Sequence, residues 1–421
     1  MAPTAIETQT GALAPAEVEQ TLARAFANVA LDGKRTLVII PDGTRTAPIP
    51  LLFALLGETL GARVPALDYL IALGTHPPMS EEAIDALVGV SAAERERRYP
   101  GVQVFNHLWD HPDQLARIGV IGAEEAIALS DGLLKEEIPV TLNRKLLEYE
   151  HIIICGPVFP HEVAGFSGGA KYLFPGVAGP DIINFTHWLG ALVTSMATIG
   201  VKDTPVRRVI HRAAAFLPRP ITCVALVMHG EQFQGMYVGS YTEAFAAAAD
   251  QSARLNIIYK PQPFRSVLSM PAERYDDLWT AAKAMYKTEP VIADGGEVII
   301  YAPHISEVSY THGKLIDEVG YHVRDYFLGQ WTRFEQTPGM ILAHSTHVRG
   351  AGTYDTASGV ERPRIQVTLA TSIPAERCAR INLGYRDYHA INPRAWENRE
   401  DDGLLLVEHA GETLYRLREP A

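Results

Sequence analysis

The residues of this chain that could carry chemistry crowd into one stretch. From Gly156 to His187 the sequence reads GPVFPHEVAGFSGGAKYLFPGVAGPDIINFTH, with six glycines, four prolines, two histidines and one lysine. Glycine density of this kind suits backbone that runs close to a ligand, where a Cβ would intrude. Two phosphate-binding readings fail at once. A Walker loop needs GxxxxGK followed by Ser or Thr, and Gly168-Gly169-Ala170-Lys171-Tyr172 breaks both the spacing and the hydroxyl. No GxGxxG follows a strand-like run, so a dinucleotide fingerprint is missing too. Lys171 is then either an ordinary exposed loop lysine or an amine of lowered pKa that bonds covalently to a cofactor or carbonyl. His161 and His187 flank it, ten residues before and sixteen after.

The elements that must position these residues alternate. Thr36–Ile40 reads as a strand running into Pro41-Asp42-Gly43, and residues 49–60 read as a helix starting near Pro50. Leu67–Leu73 is a second strand, closed by Gly74-Thr75-His76. Ser80–Leu87 is a helix with Ser80 as its N-cap. His151–Cys155 is a third strand, ending in Gly156-Pro157. The β-then-α rhythm predicts α/β architecture with mostly parallel, doubly wound sheets. Each strand empties into a polar loop, carrying Asp42 to Arg45, His76 and His161 respectively. In open α/β sheets ligands bind beyond the carboxyl ends of the strands, so the three loops are expected to converge.

Near residue 262 the texture changes. Tyr259-Lys-Pro-Gln-Pro-Phe264 reads as a linker. A second β/α series follows, with a helix over Arg274–Thr288 and strands at Glu297–Tyr301, Met340–His344, Arg364–Leu369 and Gly403–Val407. Two α/β domains are therefore expected, 1–262 and 263–421, with the active site in the cleft between them.

Composition narrows the class. Hydrophobic residues make up 47% and charged ones 20%, as in globular proteins with real cores. A formal charge of −12 argues against a nucleic-acid surface as the main partner. The three cysteines are scattered without a CxxC, so neither a zinc knot nor a disulfide framework is expected. No basic-then-apolar leader and no long apolar run occurs, which makes a cytoplasmic chain with no membrane partner the expectation.

Taken in order, these motifs resemble the lactate racemase family, in which a histidine, a GxSGGxK loop, a PGxxG turn and a second histidine recur. The Asp42-Gly43-Thr44-Arg45 loop resembles the family's cofactor-binding turn, and Gly74-Thr75-His76 resembles the loop of its first catalytic histidine. The resemblance implies a nickel-pincer nucleotide, nickel pyridinium-3,5-bisthiocarboxylic acid mononucleotide, linked to Lys171 as a thioamide. It implies His187 as the protein ligand to nickel and Asp42, Gly43, Thr44 and Arg45 as nucleotide contacts. It makes His76 and His161 the two acid–base residues, one for each enantiomer. It also implies dependence on separate cofactor-biosynthesis proteins.

The implied reaction inverts C2 of a 2-hydroxy acid. Proton abstraction at C2 is poor, because the hydrogen is weakly acidic and the carboxylate disfavours a carbanion. A reversible hydride transfer through a flat 2-keto acid avoids this, and two bases are needed because the hydroxyl points oppositely in the two enantiomers. Imidazole, with an ordinary pKa of about 6.5, can serve either way. A single protein imidazole also suits nickel if a tridentate pincer supplies the other positions.

Toward the substrate the resemblance loosens. Arg274–Ala284 resembles a family helix presenting glutamine and lysine. Lys283 stands at the lysine position, Thr280 where glutamine is usual, and Trp279 where tyrosine is usual. These departures, and the polar run from Pro303 to His312, favour a polyhydroxylated sugar acid over lactate. A short-chain racemase is the alternative. Outside that class stand a cofactor carrier without turnover and a metal-dependent hydrolase or lyase. Among the remaining histidines, His344 and His347 have HxxH spacing and are read as pocket-lining at a strand end; no role is assigned to them or to His304 and His312.

Overall fold

A computed structural model describes residues 2–418. The chain divides into two compact units, and the division is not a single cut. The first comprises 1–159, 166–183 and 207–255; the second comprises 160–165, 184–206 and 256–421.

The first unit is built on a seven-stranded sheet. Its order is Thr4–Glu7, Gln232–Gly239, Ile221–His229, His151–Pro157, Thr36–Ile40, Leu67–Ile71 and Val104–Asn106. The five strands from Ile221–His229 to Val104–Asn106 are parallel, and Gln232–Gly239 runs antiparallel to both of its neighbours. Thr36–Ile40 and Leu67–Ile71 are buried throughout, which is why they read as mostly apolar runs without alternation, Asp68 excepted. Helix Ile49–Leu60 begins behind Pro48 and lays Leu52, Phe53, Leu56 and Leu60 into the core. Helix Glu81–Val88 starts on Ser80, whose side chain accepts from the Ala83 amide at 3.3 Å.

The sheet has one switch point. From Thr36–Ile40 the chain proceeds outward one way through Leu67–Ile71 to Val104–Asn106. It returns on the other side of Thr36–Ile40 with His151–Pro157. The carboxyl ends of these two adjacent strands lead to Asp42 and to the glycine-rich segment, the place where open sheets bind ligands.

The second unit holds a five-stranded sheet, ordered Gly384–Tyr385, Gln366–Thr371, Ile292–Ala302, Phe264–Pro271 and Leu404–Ala410, parallel throughout. Two expectations fail here. Met340–His344 is not a strand but part of helix Gly339–Arg349. A short run buried on all sides has no periodicity to separate helix from strand, and Met340, Ile341, Leu342 and Ala343 are all buried. The helix expected over Arg274–Thr288 is instead two short turns, Leu278–Ala281 and Lys283–Tyr286.

Candidate functional site

In the first unit the site starts at Asp42, just past its strand and 6% exposed. Its Oδ1 accepts from the Thr44 hydroxyl at 2.6 Å and the Thr44 amide at 3.1 Å. Its Oδ2 lies 2.5 Å from Nδ1 of His76, which stands on the loop after the neighbouring strand. Burial works to raise the Asp42 pKa, but the His76 imidazole, then Arg45 and Thr44, hold the carboxyl well below its ordinary range. An ionised carboxylate can only accept, so Nδ1 of His76 carries a proton toward it, and in the neutral imidazole Nε2 keeps the lone pair. The side chain of His76 is 23% exposed. Asp42 was expected to touch the nucleotide; both of its oxygens serve the loop and the histidine. Gly43 is exposed with no crowding around it, and the Arg45 guanidinium lies over the Phe159 ring at 5.6 Å.

The lysine turn is tied to this loop through backbone. The Gly176 amide donates to the Lys171 carbonyl at 3.1 Å, and the Gly176 carbonyl accepts from the Gly74 amide at 2.9 Å. From Val163 to Pro175 every residue is buried except Lys171. Glycine is required here by the protein itself. Gly168 and Gly169 have φ of 82° and 58°, and a Cβ would come within 2.4 Å of Val158 and 2.9 Å of Phe245. The expectation that glycine clears space for a ligand is thus replaced by close packing of the turn. Arg207, buried on helix Pro205–Ala214, donates to the Gly168 carbonyl at 3.0 Å and also to the Phe166 carbonyl. Nothing in the sequence marked it, since Arg207-Arg208 reads as a solvated helix face.

In the second unit His161 is 6% exposed. Its Nδ1 accepts from the Val163 amide at 3.1 Å and lies 3.4 Å from Oε2 of Glu162. Burial opposes the Glu162 charge, but His347, Lys283 and Lys287 hold its pKa below the ordinary value. Glu162 was not among the expected residues. His187 stands half-buried on helix Pro180–Val193.

Lys283 is buried, its Nζ donating to the Thr280 carbonyl at 3.0 Å and lying 4.6 Å from the centre of the Tyr275 ring. The Thr280 hydroxyl donates within its own turn, to the Asp277 carbonyl and carboxylate at 3.1 and 2.9 Å. Trp279 stacks on His344 with centroids 4.0 Å apart and tilts against His312 at 4.5 Å. His344 and His347 share one face of the Gly339–Arg349 helix, and burial pushes them down to about 3 and about 4, so both are neutral. The polar run after Ile292–Ala302 is largely engaged internally: His304 bonds the Tyr275 carbonyl, Glu307 pairs with Arg377, and Ser309 caps His312. A cavity of about 150 Å³ is lined by Ser195, Glu289, Arg324, Thr346 and His347 among others. Ser195 Oγ, Thr346 Oγ1, Glu289 Oε2 and both His347 ring nitrogens have no hydrogen-bond partner within the protein.

Comparison with known proteins agrees with this layout. Residues 8–200 match the family described as lactate racemase N-terminal domain. Lactate racemase of Thermoanaerobacterium thermosaccharolyticum is 23% identical over 276 residues, 64% of this chain and 60% of that protein. That of Lactiplantibacillus plantarum is 22% identical over 278 residues, with the same coverages. The matches thus span about 60% of the length of these curated relatives. A crystal structure of a Thermotoga maritima protein superposes with a TM-score of 0.90 at 32% identity, covering 98% of this chain and all of that one. The lactate racemase apoprotein of T. thermosaccharolyticum superposes at 0.68 with 17% identity, over 97% and 94% of the two chains, a likeness of fold. With the motif order and the switch-point loops in agreement, residues 8–200 of this chain form a lactate racemase N-terminal domain.

Proposed function

We propose that this chain inverts C2 of a 2-hydroxy acid with a nickel-pincer nucleotide held at Lys171. The observation that carries the reading is the Asp42–His76 pair, a base oriented by a carboxylate and tied through Gly74 and Gly176 to the lysine turn. The residues present fit the cofactor. An anionic nucleotide needs a nearby cation and an amine for attachment. Arg45 and Lys171 supply these on loops that leave the two strands at the switch point. His187 is half-buried and offers an imidazole, a ligand type that suits nickel. When bound, the cofactor would supply the hydride acceptor and donor.

The chain's own residues would do the rest. His76 takes the hydroxyl proton at Nε2 while Asp42 holds Nδ1–H and stabilises the imidazolium. His161 does the same for the opposite configuration. Lys283 pairs with the substrate carboxylate, its ammonium already positioned by the Thr280 carbonyl. Trp279, held flat by His344, would form an apolar wall beside the substrate.

A polyhydroxylated acid is proposed over lactate. The support lies less in the Pro303–His312 run, whose side chains are largely engaged, than in the cavity at His347. Glu162 is flanked by both Lys283 and His347. Ser195, Thr346, His347 and Glu289 offer hydroxyl, imidazole and carboxyl groups that a methyl cannot pair.

The test is intact mass, nickel content and peptide mapping of protein produced with the cofactor-building enzymes, followed by inversion assays on lactate and on C4 to C6 aldonates. A nickel-bearing adduct on Lys171 and inversion of an aldonate are expected. An unmodified Lys171 beside a loaded control enzyme would remove the mechanism; turnover of lactate alone would remove the sugar-acid preference.

A further inference from the structure

The two histidines assigned to proton transfer are held in opposite ways. His76 has one partner at Nδ1, the ionised Asp42, and so keeps its proton there. His161 has two candidates at Nδ1, a donor and an acceptor. The Val163 amide donates to Nδ1 at 3.1 Å, which demands a bare Nδ1 and puts the proton on Nε2. Oε2 of Glu162, at 3.4 Å from the same atom, can only be served by Nδ1–H.

We propose that Glu162 is a positioning residue that competes with the Val163 amide for Nδ1 of His161 and thereby decides whether Nε2 can accept a proton. This rests on the reading of His161 as an acid–base residue. With the Val163 bond made, neutral His161 carries Nε2–H and can take nothing from a substrate hydroxyl. When His161 carries Nδ1–H toward Glu162, its neutral ring holds no proton on Nε2. The hydroxyl proton then passes to Nε2, giving an imidazolium paired with Glu162. In the reverse direction Nε2 returns that proton and Nδ1–H remains on the carboxylate.

The surroundings keep Glu162 in the form the role needs. It is 14% exposed and is faced by His347, Lys283 and Lys287 as well as by His161. A protonated Glu162 would lose the charge that draws Nδ1–H away from the amide, and the ammonium groups of Lys283 and Lys287 oppose that protonation. The arrangement also separates the two histidines in kind. His76 is fixed as a ready base, and His161 is switched.

Nitrogen-15 spectra of the full chain, labelled at histidine and assigned with His161→Gln, read the tautomer directly. The wild type is expected to show a populated Nδ1–H form of neutral His161. In Glu162→Gln that form should shrink about tenfold in favour of Nε2–H. In the cofactor-loaded enzyme the same variant should lose about 10- to 100-fold in kcat with KM changed less than about twofold. Glu162→Asp, which keeps the charge, should recover most of the loss and guards against a variant that merely misfolds. A tautomer ratio unchanged by Glu162→Gln would overturn the proposal, whatever happened to kcat. If the tautomer shifts but loaded wild-type protein inverts no 2-hydroxy acid, the His161–Glu162 pair stands and the inversion reading falls.

Discussion

Oδ2 of Asp42 lies 2.5 Å from Nδ1 of His76, across two adjacent parallel strands whose carboxyl ends deliver both residues to one loop layer. Asp42→Asn keeps the shape and removes the charge that fixes the tautomer. The expected result is a fall of about 10- to 100-fold in kcat of loaded enzyme, with cofactor retention unchanged. Acid behaviour carries a matching sign. The folded Asp42 pKa is depressed, so its stabilising contribution is full above the ordinary carboxylate range and is lost only in stronger acid. An Asn variant with undiminished kcat would show that the pair is structural.

Attachment and proton transfer should separate cleanly. Lys171→Ala is expected to abolish the adduct and nickel retention, read by intact mass and metal analysis. His76→Ala and His161→Ala should keep nickel and lose inversion. Full racemisation by a chain lacking either histidine would sink the two-base scheme.

Buried neutral histidines set the pH dependence of stability. Burial pushes His107, His151 and His347 down to about 4 each. Their folded values are depressed, so below about pH 6.5 the unfolded chain takes up protons the folded one refuses. Stability is therefore full above that pH and falls as pH drops toward 4, by about 2 kcal/mol per residue at pH 5. At His107 burial outweighs the bond from Nε2 to the Ala178 carbonyl at 2.9 Å, which favours the charged form, while the Asn143 amide nitrogen faces Nδ1 at 3.2 Å. His107→Gln should flatten part of the slope in urea unfolding at pH 7.5, 6 and 5. An unsloped wild type over that range would contradict the account.

Arg207 holds the lysine turn by two carbonyls from a buried position. Arg207→Met removes both charge-assisted bonds and leaves the Gly168 carbonyl with the longer bond from the Lys171 amide, at 3.3 Å. A loss of about 2–4 kcal/mol in unfolding free energy is expected, together with lower occupancy of the Lys171 adduct. Full stability and full loading would show that the packing of Gly168 and Gly169 suffices without it.

Much of this was legible in the sequence. Thr36–Ile40, Ile49–Leu60 and the Ser80 cap follow from apolar runs and local capping chemistry, which the chain neighbours decide. The placement of His76 just past its strand was legible from the loop that follows an apolar run. The Asp42–His76 bond was not, because it depends on which strands lie side by side; two loops 34 residues apart meet only once the sheet order is fixed. Glu162 was hidden by its ordinariness, one acidic residue beside a histidine. His344 and His347 were misplaced because a fully buried helix start carries no amphipathic signature.

The segments that hold His161 and His187, residues 160–165 and 184–206, fold with the later half of the chain, while Lys171 between them folds with the earlier half. Trp188 shows what this means, stacked at 5.7 Å on Trp331 from nearly 150 residues away. A fragment cut at residue 262 would carry that tryptophan with its partner removed, and its complement would lack Asn184 and Trp188, on which Gly339 packs. The two halves cannot be exchanged as cassettes between relatives: a crossover near 262 would mate each helix with a foreign socket, and viable chimaeras should instead keep 160–165, 184–206 and 256–421 from one parent.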